Sequence, residues 1–348
     1  MSTVLSTLQV ESVRDLLSGA GSLVSWRTLA LILAVVNLKN LPFVWHFRLL
    51  YHFVANLRLK PSAPFFPKGR AIVDAQGKPT HPVFVSCGIT SRTPLLETDY
   101  NLHKSNSTYF TDLDVSRTAL VSRLYSPGVG LVSKELDKEF LEASQKEDKR
   151  KPKRKPILIV LGSVYCSFKR EIKPFELYEV HSKVISWDKK WLYILSCFMR
   201  PARRPGGEKT LLATALSKYV VKKGRLTVAP ERILRLGGFL PTPPIESQTA
   251  SAPADSSTEV SAIGTPASGE GITATGGVDG SLVREVLKMN DDQIPSREVL
   301  EGQKKANTDS WSSEEWTWER IEQERLRGLA VVEGYINLDE KLSREWAQ

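Results

Sequence analysis

The stretch from Ile157 to Val221 constrains the fold most, because it is patterned for strands throughout. "ILIVLGSVYCSFKREI" is apolar and then alternates. "FELYEVHSKVISW" sets Tyr178, Val180 and Val184 on one face and Glu179, His181 and Lys183 on the other, the period-2 pattern of a half-buried strand. "WDKKW" is a tight reversal and "WLYILSCFMR" a further strand; after the basic loop "PARRPGGEK" comes "TLLATALSKYVVKK". Short strands joined by turns imply an antiparallel sheet. Upstream, "PVFVSCGIT" (82–90) is another strand candidate. A helix follows it: Phe110, Leu113, Leu120 and Leu124 recur at helical spacing, Asn106 or Ser107 can cap it, and "SPG" (126–128) stops it. One helix placed before several long strands gives an α+β domain over residues 82–240.

The flanks differ in chemistry from this domain. Residues 1–60 contain "RTLALILAVVNLKNLPFVWHFRLLYHFVANLRLK", apolar from Leu29 to Val36 and then interrupted by Asn37, Lys39, Asn40 and Pro42. A spanning helix needs about 20 predominantly apolar residues, and this run breaks near its middle. Acidic and basic residues ahead of the apolar run argue against a cleaved signal. Its aromatic and basic second half suits an interfacial helix, so residues 27–56 are expected to associate with an intracellular membrane of the endoplasmic-reticulum type. Residues 61–81 are rich in Pro and Gly and read as a linker. Residues 126–156, ending in "KEDKRKPKRKP", read as a basic loop. Residues 241–310 are low-complexity Pro, Ser, Thr, Gly and Ala, read as a disordered linker. Residues 311–348 read as an acidic, Trp-rich helix that docks on the body or binds a partner.

Charge is asymmetric along the chain. Residues 251–348 hold 10 Lys+Arg against 19 Asp+Glu, and the first 250 hold 38 against 20. A basic body suits an anionic partner. Nucleic acid is not expected, because no zinc module, RNA-binding signature or heptad-bearing basic helix accompanies the basic run. Cys87, Cys166 and Cys197 form neither a disulfide framework nor a zinc site, and no metal is expected. The chain lacks a G-x-S-x-G elbow and phosphate-loop signatures.

The chemistry concentrates in "ETDYNLHKSNSTYFTDLDVSR", Glu97 to Arg117. Asp99, Asn101 and His103 lie at i, i+2 and i+4, immediately before a helix start that offers unpaired N–H groups and the positive end of the dipole. A carbonyl placed there would be polarised, and a nearby carboxylate could activate water or attack directly. A second reading stands beside this one: an Asx-turn and cap cluster in which Asp and Asn only satisfy backbone donors.

The order Asp99-x-Asn101-x-His103-x-x-Asn106-x-x-Tyr109, then Asp114 and Arg117, resembles the hotdog-fold acyl thioesterases of the 4-hydroxybenzoyl-CoA thioesterase type. It is most similar to thioesterase superfamily member six and to the fungal thioesterase-like proteins of secondary-metabolite clusters. In those, N-S-x-Y precedes a helix carrying D-V-[SA]-R, and a strand pair like "IKPFELYEVHSKVISWDKKWLYI" comes later. The resemblance covers about residues 82–240. It implies a central helix wrapped by an antiparallel sheet, pairing of two domains into a homodimer or higher oligomer, and a site at their interface. It implies Asp99 as base or nucleophile, with Asn101 and His103 orienting water or assisting. Asn106, Ser107 and Tyr109 would open the helix against the substrate. Asp114 and Arg117 would form a structural ion pair. The implied substrate is an acyl-CoA or a carrier-protein-bound acyl or polyketide thioester, with no cofactor beyond the CoA or phosphopantetheine of the substrate. The alternative is a non-catalytic hotdog acyl-binding or scaffold protein at a membrane. Plant acyl-carrier-protein thioesterases carry a similar D-x-N-x-H-x-N-N-x-x-Y run, but position 105 here is Ser where that run has the first of two adjacent Asn, and the segment from Ser126 to Pro156 is longer than in the compact bacterial members of the family.

Overall fold

The computed structural model describes residues 25–57, 66, 72–74, 77–146, 157–202, 204, 206–224, 226–242 and 295–346. Strand-patterned segments form one antiparallel sheet from β1 (Cys87–Arg92), β2 (Ile157–Phe168), β3 (Leu177–Trp187), β4 (Trp191–Arg200), β5 (Thr210–Lys223) and β6 (Leu226–Val228). The order is β1-β3-β4-β5-β2, with β6 added against β5. Register shifts at Leu161/Ser163, Val184/Ser186 and Phe198/Met199 are the irregularities that let a sheet curl. At the first of these Gly162 is required: a Cβ there would stand 2.4 Å from the Trp191 ring.

The curled sheet wraps α3 (Tyr109–Tyr125), the hotdog arrangement expected from the sequence. Leu113, Val115, Ala119, Leu120 and Leu124 are each at most 1% exposed. They meet the inward strand residues Val180, Val184, Ile194, Phe198, Ala213 and Ala215. The helix is buried nearly all round because α2 (Val44–Asn56) covers the side away from the sheet. Residues 1–60 and 82–240 were expected as separate units. The described part of the first instead packs on the second, and the intervening boundary is not one in space.

Three further expectations are corrected. Residues 126–156 were read as a loop, yet Gly128–Lys146 form α4. Leu131, Val132 and Leu136 bury its inner face against α5 (Pro230–Leu236) and α6 (Arg297–Thr308). The basic residues nearby masked that stripe; the run 147–156 lies outside the described residues. Residues 241–310 were read as disordered throughout, yet α6 lies within them. Ser296 accepts a hydrogen bond from the Val299 N–H, and Leu300, Gln303, Ala306 and Asn307 are buried. The Asn307 amide donates to the Gly237 carbonyl at 2.6 Å. The low-complexity composition of the larger window hid this capped amphipathic segment; residues 243–294 lie outside the described residues. Finally, neither Asn106 nor Ser107 caps α3, which starts from a 3-10 turn, Asn106–Thr108, without a side-chain cap.

The N-terminal run forms two short helices, α1 (Trp26–Val36) and α2, broken where Asn37, Asn40 and Pro42 interrupt the apolar pattern. Among the described residues no helix is long and apolar enough to cross a membrane. Inside the expected linker, Val73 and Pro79 pair as an isolated antiparallel bridge, and the Thr80 N–H donates to the Ile72 carbonyl at 2.8 Å. At the other end α7 (Trp318–Trp346) lies on β3. It comes so close that a Cβ on Gly328 would stand 1.9 Å from the Ile185 carbonyl oxygen. The Ser186 hydroxyl donates to the Arg325 carbonyl at 2.7 Å, and the Arg325 guanidinium donates to the Trp187 carbonyl at 2.7 Å. The acidic tail therefore docks on the body by close packing and carbonyl contacts, while Arg325 keeps its ion pair with Glu322 inside the helix.

His81 sits where the tail meets the body, fully buried between Phe84, Trp311 and Trp316. Its Nδ1 accepts from the Val83 N–H, and burial holds its pKa down at about 3. The unfolded chain, with His near 6.5, binds this proton first. His81 therefore lets the fold keep its full stability above the unfolded value and loses it as pH falls toward the folded one. The limiting slope is about 1.4 kcal/mol per pH unit. Chemical denaturation between pH 7 and 4 is expected to show this loss, and His81→Phe to flatten it. An unchanged slope in the variant would assign the loss to another group.

Candidate active site

The Asp99 segment is a tight hairpin set on the approach to α3. Thr98 and Lys104 pair as an isolated antiparallel bridge. Between them the Asp99 N–H donates to the His103 carbonyl at 3.0 Å and the Leu102 N–H to the Asp99 carbonyl at 3.0 Å, with Leu102 at φ +60°. Asp99 Oδ1 accepts from the Asn101 N–H at 2.9 Å, closing an Asx turn. His103 Nδ1 stands 3.6 Å from the same Oδ1. Both side chains are partly exposed, Asp99 at 23% and His103 at 29%. Asp99 Oδ2 has no donor among the described residues.

The structure thus brings Asp99 and His103 together and treats the other candidates differently. Asn101 contributes its backbone N–H and is exposed. Asn106 and Ser107 are exposed on the first turn, where the Ser107 hydroxyl lies 3.1 Å from that of Ser105. Tyr109 is buried against Phe168 and Phe198, with ring centroids 4.9 and 4.8 Å apart, and burial pushes its hydroxyl pKa well above the usual range. Asp114 and Arg117 are 2.6 Å apart. Arg117 is buried, donates to the Ser217 hydroxyl at 2.8 Å and lies over the Tyr219 ring. Burial raises the Asp114 carboxyl while Arg117 opposes the shift. Cys166 is half-buried, and burial pushes its thiol up to about 11, which leaves it protonated and weakly nucleophilic at neutral pH.

A charged cluster that the sequence reading did not find underlies this hairpin. Asp112, on the first turn of α3, is wholly buried. It accepts from Tyr178 Oη at 2.5 Å, Lys39 Nζ at 2.9 Å, Arg48 at 3.1 Å and the Ser91 hydroxyl at 3.2 Å, with Lys104 Nζ at 3.1 Å. Burial alone would raise this carboxyl. The charges of Lys39, Lys104 and Arg48, with the Tyr178 hydrogen bond, outweigh burial and hold it well below the usual carboxylate range. Glu97 joins through Lys39 at 2.9 Å and Lys104 at 2.5 Å. The Glu97 carbonyl also accepts from the Ser105 N–H at 2.7 Å, so the cluster clamps the base of the hairpin that carries Asp99. Lys39 and Arg48 stand in an apolar run with no Asp or Glu from Ser25 to Lys60, and their need for distant carboxylates was the signal available in the sequence.

An antiparallel sheet wrapped round one buried helix is the hotdog arrangement. The family described as thioesterase-like superfamily matches residues 93–246. Thioesterase lcsJ of Purpureocillium lilacinum is 35% identical over 339 residues, covering 94% of this chain and 95% of its own. Probable thioesterase atnL of Emericella nidulans is 36% identical over 245 residues, covering 66% and 74%. Among solved structures, the probable thioesterase YbaW of Escherichia coli aligns at 16% identity with a TM-score of 0.29, covering 42% of this chain and 92% of its own. The chain belongs to the thioesterase-like superfamily.

Proposed function

We propose that this thioesterase hydrolyses an acyl thioester carried on CoA or on the phosphopantetheine arm of a carrier protein, in fungal secondary metabolism. The observation that carries the reading is the pairing of Asp99 and His103 on a partly exposed hairpin tip, with Asp99 Oδ2 lacking a donor among the described residues. Asp99 deprotonates the attacking water or adds to the thioester carbonyl itself; His103 orients that carboxylate or the water. N–H groups at the start of α3 would receive the developing oxyanion. The surplus of Lys and Arg in the first 250 residues suits the phosphates of CoA or an acidic carrier protein. The fungal relatives described above are named thioesterases, which supports the hydrolase reading.

A homodimer or higher oligomer belongs to the same reading. The edge strand β2 exposes Ile159, Val160, Tyr165 and Phe168, and pairing there would extend the sheet. The competing function, a non-catalytic acyl-binding or scaffold protein, takes the bond between Asp99 and Asn101 as the whole role of Asp99. Thiol release by the full-length protein, across acyl-CoA chain lengths and a carrier-bound acyl thioester, tests the first function. Hydrolysis supports it. Tight acyl binding without thiol release from either carrier would establish the second. In H₂18O, single-turnover label on the Asp99 carboxylate identifies it as nucleophile, whereas label only in the product acid, with no mixed anhydride trapped by hydroxylamine, identifies it as base.

A further inference from the structure

The N-terminal run is polar where it meets the domain, at Asn37, Lys39 and Arg48, and apolar elsewhere: α1 buries no residue, and α2 buries only Asn56. Inward, Asn37 is 1% exposed and accepts from the Leu96 N–H at 2.7 Å, while Lys39 and Arg48 reach Asp112. Outward, Trp26, Leu29, Ile32, Phe43, Phe47 and Tyr51 are between 54% and 74% exposed. Exposed large apolar side chains concentrated on two short helices of a folded protein mark an interface.

The chemistry of the face selects its occupant. From Ser25 to Lys60 there is no acidic residue. Lys39 and Arg48 are spent inward, which leaves Arg27 at one end and Arg58 and Lys60 in the sequence at the other. An isologous contact would lay this patch on itself and bring like charges together, which disfavours a second copy. At 11 and 13 residues, α1 and α2 are about 16 and 20 Å long, short of the ~30 Å hydrocarbon core. Trp26 opens α1 and Phe43, at φ +67°, precedes α2, so an aromatic side chain stands at the start of each helix. Cationic flanks, aromatic anchors and short helices rich in exposed apolar side chains are the chemistry of a segment lying in a headgroup layer.

We propose that the outward faces of α1 and α2 lie in the interfacial layer of an anionic bilayer, with Lys39 and Arg48 fixing this platform to the base of the Asp99 hairpin. Docking would then set the orientation of the hairpin to the membrane, and an acyl chain delivered from it would arrive at a fixed height. The surface stands independently of the hydrolase reading, because binding needs no turnover.

The test is flotation of the full-length protein with vesicles of phosphatidylcholine, with and without phosphatidylserine. Its comparison variants are an Ile32→Glu, Phe47→Glu double substitution and Leu326→Glu on exposed α7. The wild type and Leu326→Glu are expected to float with phosphatidylserine vesicles. The double variant should lose at least tenfold in vesicle affinity with an unchanged circular dichroism spectrum and melting temperature. Equal binding to both vesicle types overturns the anionic part. Absence of wild-type binding overturns the proposal. So does a wild-type dimer that the double variant splits in light scattering, which would assign the face to a second copy.

Discussion

Asp99→Asn is expected to lower kcat/KM for thioester hydrolysis by about 10²–10⁴-fold, the usual contribution of a positioned general base, with little change in Tm. The substitution separates the two roles open to this residue. An Asn Oδ1 still accepts from the Asn101 N–H, so the Asx turn persists, whereas the carboxylate charge beside His103 is lost. Asp99→Ala removes the turn bond as well and adds about 0.5–1.5 kcal/mol of destabilisation. A stability difference between the Ala and Asn variants with no activity difference between Asp and Asn would mean that Asp99 only shapes the hairpin. His103→Ala is expected to cost less than Asp99→Asn, because His103 acts through the carboxylate or the water it orients.

Asp112→Asn is expected to be the most destabilising single substitution in the domain. It leaves Lys39, Lys104 and Arg48 converging on an uncharged amide, with only Glu97 to oppose them. Removing one member of a buried charge cluster costs about 3–5 kcal/mol. For a domain of this size that is about 6–20 °C in Tm. The same residue predicts a pH limb. Its folded pKa is depressed, so its contribution is complete above the ordinary carboxylate value near 4 and disappears as pH falls through the folded value. Denaturation below pH ~4 should be steep in the wild type and shallow in Asp112→Asn, while the His81 limb at higher pH stays. A Tm within about 2 °C of wild type, less than 1 kcal/mol on the same scale, would show that the cluster is solvated and does not tie the N-terminal helices down. Lys39→Met should loosen α1 and α2 first, visible as proteolysis near Asn37.

The fold was legible where one physical signal dominates. Strands β3 and β4 follow from a period-2 pattern, and α3 from Leu113, Leu120 and Leu124 on one stripe. Asp99, Asn101 and His103 were legible as a group because they are neighbours in the chain, and a turn needs only neighbours to form. Helices α4 and α6 were missed because a basic run and a low-complexity window outweighed the local stripes of Leu131, Val132 and Leu136, and of Leu300 and Ala306.

Sequence alone determined an antiparallel sheet, one helix ahead of its long strands and a polar segment before that helix, all set by period and turn residues; the wrapping of the sheet round the helix followed from the family resemblance. Tertiary structure decided what covers the helix and what holds the hairpin. Lys39 meets Asp112 across 73 residues, and Asn37 meets Leu96 across 59. A buried charge declares only that a partner must exist; which carboxylate answers depends on where the sheet and α2 bring the chain, and no local pattern records that.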